Sequence, residues 1–269
     1  MINNKTNLYF SISNNPGSSG SLLHNAFFKI VKRNAVYFPL KIKNLKNFIN
    51  FFKEINSEGF SVSTPFKSKI IGHLDIKDKI VRDTLSCNTV VNKKGKLVGY
   101  NTDYLAIYYI LRSKSINKKS KVLILGNGAV ARTVLYALKN LKFKNIFFCS
   151  RRIKKTPKDQ FINFAKINQH TTDVLINATT LGMNIAKKDK LNINQNYIKS
   201  LSLIIDFPIS KKNNTFLEDI AKKNNIEYVS GKEISFYQGL YQIKLYNNSG
   251  NFKKYHSKLA KKIKLSTKL

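Results

Sequence analysis

The feature that most constrains this chain is a short apolar run that stops on glycine. KVLIL, from Lys121 to Leu125, is β-prone, and GNGAVAR turns it at once into a segment, Thr133 to Leu141, that reads as a helix with Leu135 and Leu138 inward. A second strand, NIFFCS, follows at Asn145 to Ser150 and completes a βαβ unit. Strands return at DVLINATT, Asp173 to Thr180, and at SLIIDF, ending at Phe207, with helix-capable segments between some of them. The middle of the chain therefore reads as a nucleotide-binding domain.

The turn itself carries the chemistry. Gly126, Gly128 and the small Ala129 sit where a strand ends and a helix begins, which leaves backbone N–H groups and the helix dipole facing a pyrophosphate. A full dinucleotide fingerprint has a third glycine, and here Val130 or Ala131 stands near that place; a tight turn with no ligand is the plainer alternative. At the end of the second strand an NAD-specific fold places an acid for the ribose 2′-hydroxyl. This chain has Ser150, Arg151 and Arg152 there instead. Guanidinium groups bind a 2′-phosphate that a carboxylate would repel, so the expected cofactor is NADP.

The flanks are built differently. SEGFSVSTPFK from Ser57 and TLSCNTVVNKKGKLVGYNTD from Thr84 contain short strands, the latter turning at Lys93 to Gly95 as a hairpin, so a mixed α/β architecture is expected before the middle domain. After it, Ser235 to Asn248 has apolar positions at helical spacing and could pack back on the first domain.

A redox step at a hydroxyl carbon also needs a group that gives or takes the hydroxyl proton. None of the four His lies in a pattern that recommends it; His24 fits capping or packing. Lys67 follows a Pro-fixed bend in VSTPFK, where it is either held at a cleft or a solvated surface charge. Asp103, in GYNTD at the head of YLAIYYILR, is either an N-cap, a catalytic partner or both.

These motifs, in order from about Tyr9 to Asn248, resemble the shikimate dehydrogenase family. GFSVSTPFK is similar to that family's strand leading to its catalytic Lys, here Lys67; CNTVV and GYNTD are similar to the segments carrying its substrate-binding Asn and catalytic Asp, here Asn88 and Asp103. The resemblance implies an α/β fold of two domains. Residues 1–103 would form the substrate-binding and catalytic domain, 104–233 a Rossmann-like NADP-binding domain, and 234–269 C-terminal helices returning to the first. It further implies an NADP-dependent oxidoreductase that interconverts 3-dehydroshikimate and shikimate in chorismate and aromatic amino-acid biosynthesis. Lys67 and Asp103 would act as the acid–base pair, with Ser18, Gly20, Ser63, Asn88 and Gln238 around the substrate. Cofactor contacts would come from Gly126, Asn127, Gly128, Ala129, Val130, Ser150, Arg151, Arg152, Ala178 and Thr179 of NATTLGM, and Gly231. One departure bears on substrate choice: the family's Ser-x-Ser-Pro carboxylate segment is SSGS here, with Gly20 for the second Ser and Ser21 for the Pro, and the expected Thr near the Lys is Ser63. A paralogue acting on quinate or another polyhydroxy acid is thus a second expectation.

Composition limits the other classes. Lys and Arg number 48 against 14 Asp and Glu, a net charge of +34, which raises nucleic acid as a partner. Yet Lys is scattered beside abundant Asn and Ile with no Arg-rich block, so residue bias explains the charge as well; a specific nucleic-acid partner is not expected, and a basic nucleic-acid-binding protein on a degenerate Rossmann scaffold stands as the alternative from another class. The tail from Asn251 repeats Phe252, Tyr255, Leu259 and Ile263 on one helical face among seven Lys, as a solvated amphipathic helix or a weaker RNA or membrane dock. Cys87 and Cys149 lack disulfide or metal-ligand spacing, so no metal is expected. No basic-then-apolar leader and no apolar run of about 20 residues is present, so a cytoplasmic monomer or homodimer with no membrane partner is expected.

Overall fold

Two sheets, each with its own core, organise the computed structural model of the protein, which describes residues 2–150, 160–182, 191–210, 214–247 and 253–263. The chain divides into one unit of Met1–Ala106 with Ser235–Leu269 and a second of Ile107–Ile234.

The first unit runs β1 (Asn7–Ser13), α1 (Ser19–Ile30), β2 (Ala35–Lys41), α2 (Leu45–Glu54), β3 (Gly59–Val62), β4 (Ile76–Lys77), α3 (Lys79–Thr84), β5 (Thr89–Lys93) and β6 (Lys96–Tyr100). Its sheet has the order β2-β1-β3-β5-β6-β4, with β1 parallel to β2 and β3, and β5 antiparallel to both neighbours. The expected hairpin is β5–β6; its turn places Lys94 and Gly95 at φ 54° and 84°, and the Gly95 N–H donates to Asn92 Oδ1. In α2 the apolar positions Leu45, Phe48, Ile49 and Phe52 fall on one face and are buried, with Asn44 capping the helix through the Asn47 N–H. Phe52 and Phe48 meet Phe60 of β3 edge-on at ring distances of 4.7 and 5.0 Å, which fixes that strand against the helix layer.

From there α4 (Thr102–Ser113) leads to the second unit, with β7 (Lys121–Leu125), α5 (Ala129–Asn140), β8 (Asn145–Ser150), β9 (Gln160–Asn163), β10 (Val174–Asn177), α6 (Gln195–Ser200), β11 (Leu203–Asp206), α7 (Phe216–Lys223) and β12 (Glu227–Val229). All its strands are parallel, in the order β12-β11-β10-β7-β8-β9. The chain winds from β7 towards β9 and then from β10 towards β12, so the order reverses between β7 and β10, the place where such sheets open a crevice at their carboxyl ends. Val122–Leu125 and Val174–Ile176 are fully buried, as strands covered on both faces must be. The Rossmann-like α/β expectation holds.

Three boundaries differ from the sequence reading. α5 begins at Ala129 rather than Thr133, because Gly128 already stands at its N-cap; its buried face is Ala131, Val134, Ala137 and Leu138, and Leu135 is half-buried. The strand expected to reach Thr180 stops at Asn177, whose side-chain oxygen accepts from the Thr179 N–H and hydroxyl and closes a local turn that competes with the ladder. α8 (Gly231–Asn247) starts four residues before the expected Ser235, with Ser230 Oγ accepting from the Glu233 N–H. The last helix, α9 (Lys253–Lys262), contacts α1 and buries Leu259 and Ala260, so the tail is an amphipathic helix with a packed face. Phe252 lies outside the described residues. No described helix is long and apolar enough to cross a membrane.

Candidate active site

In the first unit the site grows out of the loop after β3. Ser63 donates its N–H to Ile12 O of β1 and accepts from Phe66 N, and Phe66 is buried beneath the turn. The Thr64–Pro65 peptide is cis. Lys67 follows, its carbonyl accepting from the Cys87 N–H, so backbone on both sides of the residue is tied down. Its side chain is 15% exposed and donates from Nζ to Asp103 Oδ2 at 2.6 Å, which removes the alternative of a solvated surface charge.

Asp103 lies in the first turn of α4, where the helix dipole favours a carboxylate. It is not the N-cap: Asn101 is, its Oδ1 accepting from the Tyr104 N–H at 3.1 Å. With the cap supplied by Asn101, both Asp103 oxygens serve other partners. Oδ2 takes Lys67, and Oδ1 takes Asn88 Nδ2 at 2.9 Å. Asn88 Oδ1 accepts from Thr89 Oγ1, Thr102 Oγ1 and the Thr102 N–H. Gln238 Nε2 donates to Thr102 Oγ1 at 3.1 Å. Lys67, Asn88, Asp103 and Gln238 are thus joined in one hydrogen-bonded network.

The other substrate-side expectations stand outside that network. Ser18 occupies the exposed N-cap position of α1 without making a side-chain cap, and its carbonyl accepts from Ser21 Oγ. Gly20 faces a tyrosine: a Cβ built there would lie 3.4 Å from the Tyr37 ring and 3.7 Å from its hydroxyl. That hydroxyl pairs with Ser61 Oγ at 2.6 Å, and burial pushes it up to about 12. The sequence reading missed Thr89, Thr102, Gln242, Tyr37 and Ser61. Thr89 and Thr102 adjoin Asn88 and Asp103, and Gln242 lies one helical turn after Gln238, a spacing that could have exposed it.

In the second unit the site is backbone. Gly126 sits at φ 103°, and a Cβ there would be 2.9 Å from Thr179 Cγ2 and 3.3 Å from Ala178 O, so the turn nests against the Ala178–Thr179 loop. Nothing approaches within 4 Å of the Cβ position of Gly128, the N-cap of α5, a helix end whose backbone N–H groups and dipole favour an anion. Ala131, near the place of the fingerprint's third glycine, is small and fully buried. The Ala178–Thr179 loop is braced from below: buried Asp206 accepts from Asn177 Nδ2, Thr215 Oγ1 and Tyr228 OH, and burial raises its carboxyl despite those bonds. These features fit a dinucleotide. Ser150 is buried at the end of β8, and Arg151 and Arg152 lie outside the described residues. At Gly231 a Cβ would strike Phe207 O and Pro208 O at about 2.5 Å or less, so the backbone there approaches that of Phe207 and Pro208 closely. Burial pushes the thiols of Cys87 and Cys149 up to about 12 and about 11, so neither is a ready nucleophile. Among the described residues no group of three or more His, Cys, Asp or Glu could hold a metal.

Known proteins converge on one family. A sequence model described as the shikimate dehydrogenase substrate binding domain matches residues 15–90. The NADP(+) shikimate dehydrogenase of Pyrococcus furiosus is 32% identical over 255 residues, covering 91% of this chain and 92% of its own. Among solved structures, a shikimate 5-dehydrogenase-like protein superposes with a TM-score of 0.85 at 26% identity, over 98% of this chain and 100% of that one. A shikimate dehydrogenase in complex with NADP+ gives 0.80 at 28% identity, over 100% and 98%. With identity of this degree sustained along both chains, the protein belongs to the shikimate dehydrogenase family.

Proposed function

We propose that the protein is an NADP-dependent oxidoreductase that interconverts 3-dehydroshikimate and shikimate, a step towards chorismate and the aromatic amino acids. The observation that carries this reading is the Lys67–Asp103 pair, 2.6 Å apart and mostly shielded, held by Asn88 from behind. Support for the cofactor comes from the glycine turn into α5, with its Gly128 N-cap clear of side chains, and from relatives named for NADP.

In the reducing direction the Lys67 ammonium donates its proton to the oxygen of the ketone carbon, and in the oxidising direction the free amine takes the hydroxyl proton back. Asp103 fixes the Lys67 Nζ and accepts from a neighbouring ring hydroxyl. A bound nicotinamide supplies or accepts the hydride at the same carbon. Asn88 Oδ1 is filled by three donors, so its second amide hydrogen is what remains for substrate, while Gln238 offers its side-chain oxygen. Gly126, Asn127, Gly128, Ala129 and Val130 would hold the pyrophosphate, with Ala178 and Thr179 on the nicotinamide side and Ser150, Arg151 and Arg152 at the 2′-phosphate.

A second reading, a polyhydroxy acid other than shikimate such as quinate, is favoured by Gly20, which lacks the side-chain hydroxyl of the serine that the family has there. Purified protein given NADP+ and, separately, shikimate, quinate and related hydroxy acids decides the matter through the absorbance of reduced nicotinamide. Shikimate should be the best substrate; a preference for quinate selects the second reading, and no reduction with any cyclic acid rejects both.

A further inference from the structure

The network around Asp103 does not end at Asn88. Asn88 Oδ1 is surrounded by donors, the Thr102 N–H at 2.7 Å and the hydroxyls of Thr89 and Thr102 at 3.0 and 3.1 Å, so its carboxamide can turn only Nδ2 towards Asp103. The two hydroxyls also stand 3.0 Å apart, and each is met by an amide donor from successive turns of α8. Gln238 Nε2 reaches Thr102 Oγ1 at 3.1 Å and Gln242 Nε2 reaches Thr89 Oγ1 at 3.0 Å. Gln242 is 3% exposed, and its amide also lies 3.4 Å from Asn88 O. With that nitrogen donating, the oxygen of Gln242 is the atom facing His24 Nε2 at 3.2 Å.

His24 therefore has to donate from Nε2, which makes it the neutral Nε2–H tautomer with an unprotonated Nδ1. The surroundings agree. Nδ1 is buried with no hydrogen-bond partner, where a proton would be stranded. The ring is fully buried and stacks on Tyr37 at 4.2 Å and 4°. Gly239, between the two glutamines, has no side chain to push Leu23 of α1 aside, so α8 closes on the helix that carries His24.

We infer that His24 and Gln242 are positioning residues: the Nε2–H of His24 holds the Gln242 oxygen and so anchors a relay through Gln242 and Thr89 that orients Asn88 and, through it, the Asp103 carboxylate against Lys67. This rests on Lys67 and Asp103 being the acid–base pair of the proposed reaction. Its sense is fixed at one end by the Asp103 carboxylate and at the other by the Asn88 carbonyl facing Gln242 Nε2, both of which can only accept. Reversing any link would leave a buried donor facing a donor, or an acceptor facing an acceptor.

The test uses full-length protein and three variants. His24→Phe keeps a flat ring on Tyr37 and removes the N–H, His24→Gln keeps a donor near the Nε2 position, and Gln242→Met removes both polar ends at similar volume. Two quantities are read: steady-state shikimate oxidation with NADP+, and the acetylation rate of Lys67 relative to exposed Lys53 at fixed pH, resolved by peptide mass spectrometry. His24→Phe and Gln242→Met should each lower kcat about tenfold with KM for NADP+ unchanged, as coupled members of one network do. Lys67 should label several-fold faster in both as its carboxylate partner loosens, and His24→Gln should recover most of both effects. Folded variants that keep wild-type kcat and labelling ratio overturn the inference, because a packing role would change only the melting temperature. If one variant fails to fold, the other carries the same comparison. Should the wild-type protein oxidise no cyclic acid, the functional reading falls, and the labelling ratio alone still decides the relay: raised and rescued upholds it, unchanged overturns it.

Discussion

At the head of α4 the candidate chemistry is carried by side chains, and at the head of α5 it is carried by backbone. Lys67, Asp103, Asn88, Thr89, Thr102 and Gln238 hold one another through bonds of 2.6 to 3.1 Å, and each depends on the functional group of the next. The Gly126 turn offers main-chain N–H groups that nearly any sequence would supply, provided glycine allows the turn. The first kind of site is broken by changing one functional group. The second is broken chiefly by adding a Cβ or by removing the charges that choose the cofactor.

The largest effect is expected where two bonds meet on one residue. Asp103→Ala removes the acceptor of both Lys67 and Asn88, and kcat should fall by about 10² or more. Equilibrium binding of NADP+, measured by calorimetry, should barely change. A variant that lost cofactor affinity and kept turnover would abolish the contrast between the units.

Next comes cofactor choice. β8 ends on Ser150 followed by two arginines where an acid would serve NAD, so Arg151→Ala should weaken NADP relative to NAD. A charge-assisted phosphate contact contributes about 1.5–3 kcal/mol, or roughly 10- to 150-fold. Dissociation constants for both cofactors check it, and equal losses would assign Arg151 to structure or to the shared pyrophosphate.

A smaller change is expected from Gly126→Ala. The new Cβ meets Thr179 Cγ2 at 2.9 Å on a backbone at φ 103°, a conformation costing an L-residue roughly 1–3 kcal/mol. KM for NADP+ should rise about tenfold while kcat at saturating cofactor holds. The smallest effect on chemistry belongs to the tail. Removal of residues 251–269 should leave turnover per folded molecule unchanged, whereas burial of Leu259 and Ala260 against the first unit means the melting temperature falls. Lost turnover in folded, truncated protein would bring α9 into the site.

The two regions also differed in how plainly they could be read. KVLIL, the glycine turn and NIFFCS specify their structure locally, through apolar runs and a residue without a Cβ, and β7 and β8 formed at the expected residues. The side-chain site is assembled from residues far apart in the chain, and nothing in the spacing of Lys67 and Asp103 says that they meet; the family resemblance pointed to them. Asn101 took the cap that Asp103 had been one candidate for, because Asn and Asp compete for the same geometry and sequence does not rank two neighbours. Gln242 and the two threonines escaped notice since a polar residue on a helix or strand looks solvated until the opposing surface is known. Burial of Gln242 is a property of α8 meeting α1 and β5, written in no local pattern.

The most direct test of the division between a side-chain site for chemistry and a backbone site for cofactor is Lys67→Ala, with single-turnover shikimate oxidation and NADP+ affinity measured on the same preparation. The proton-handling role predicts a rate lower by about 10² or more with the dissociation constant for NADP+ unchanged. A variant that oxidises shikimate at the wild-type rate, or whose loss is one of cofactor binding, would contradict it.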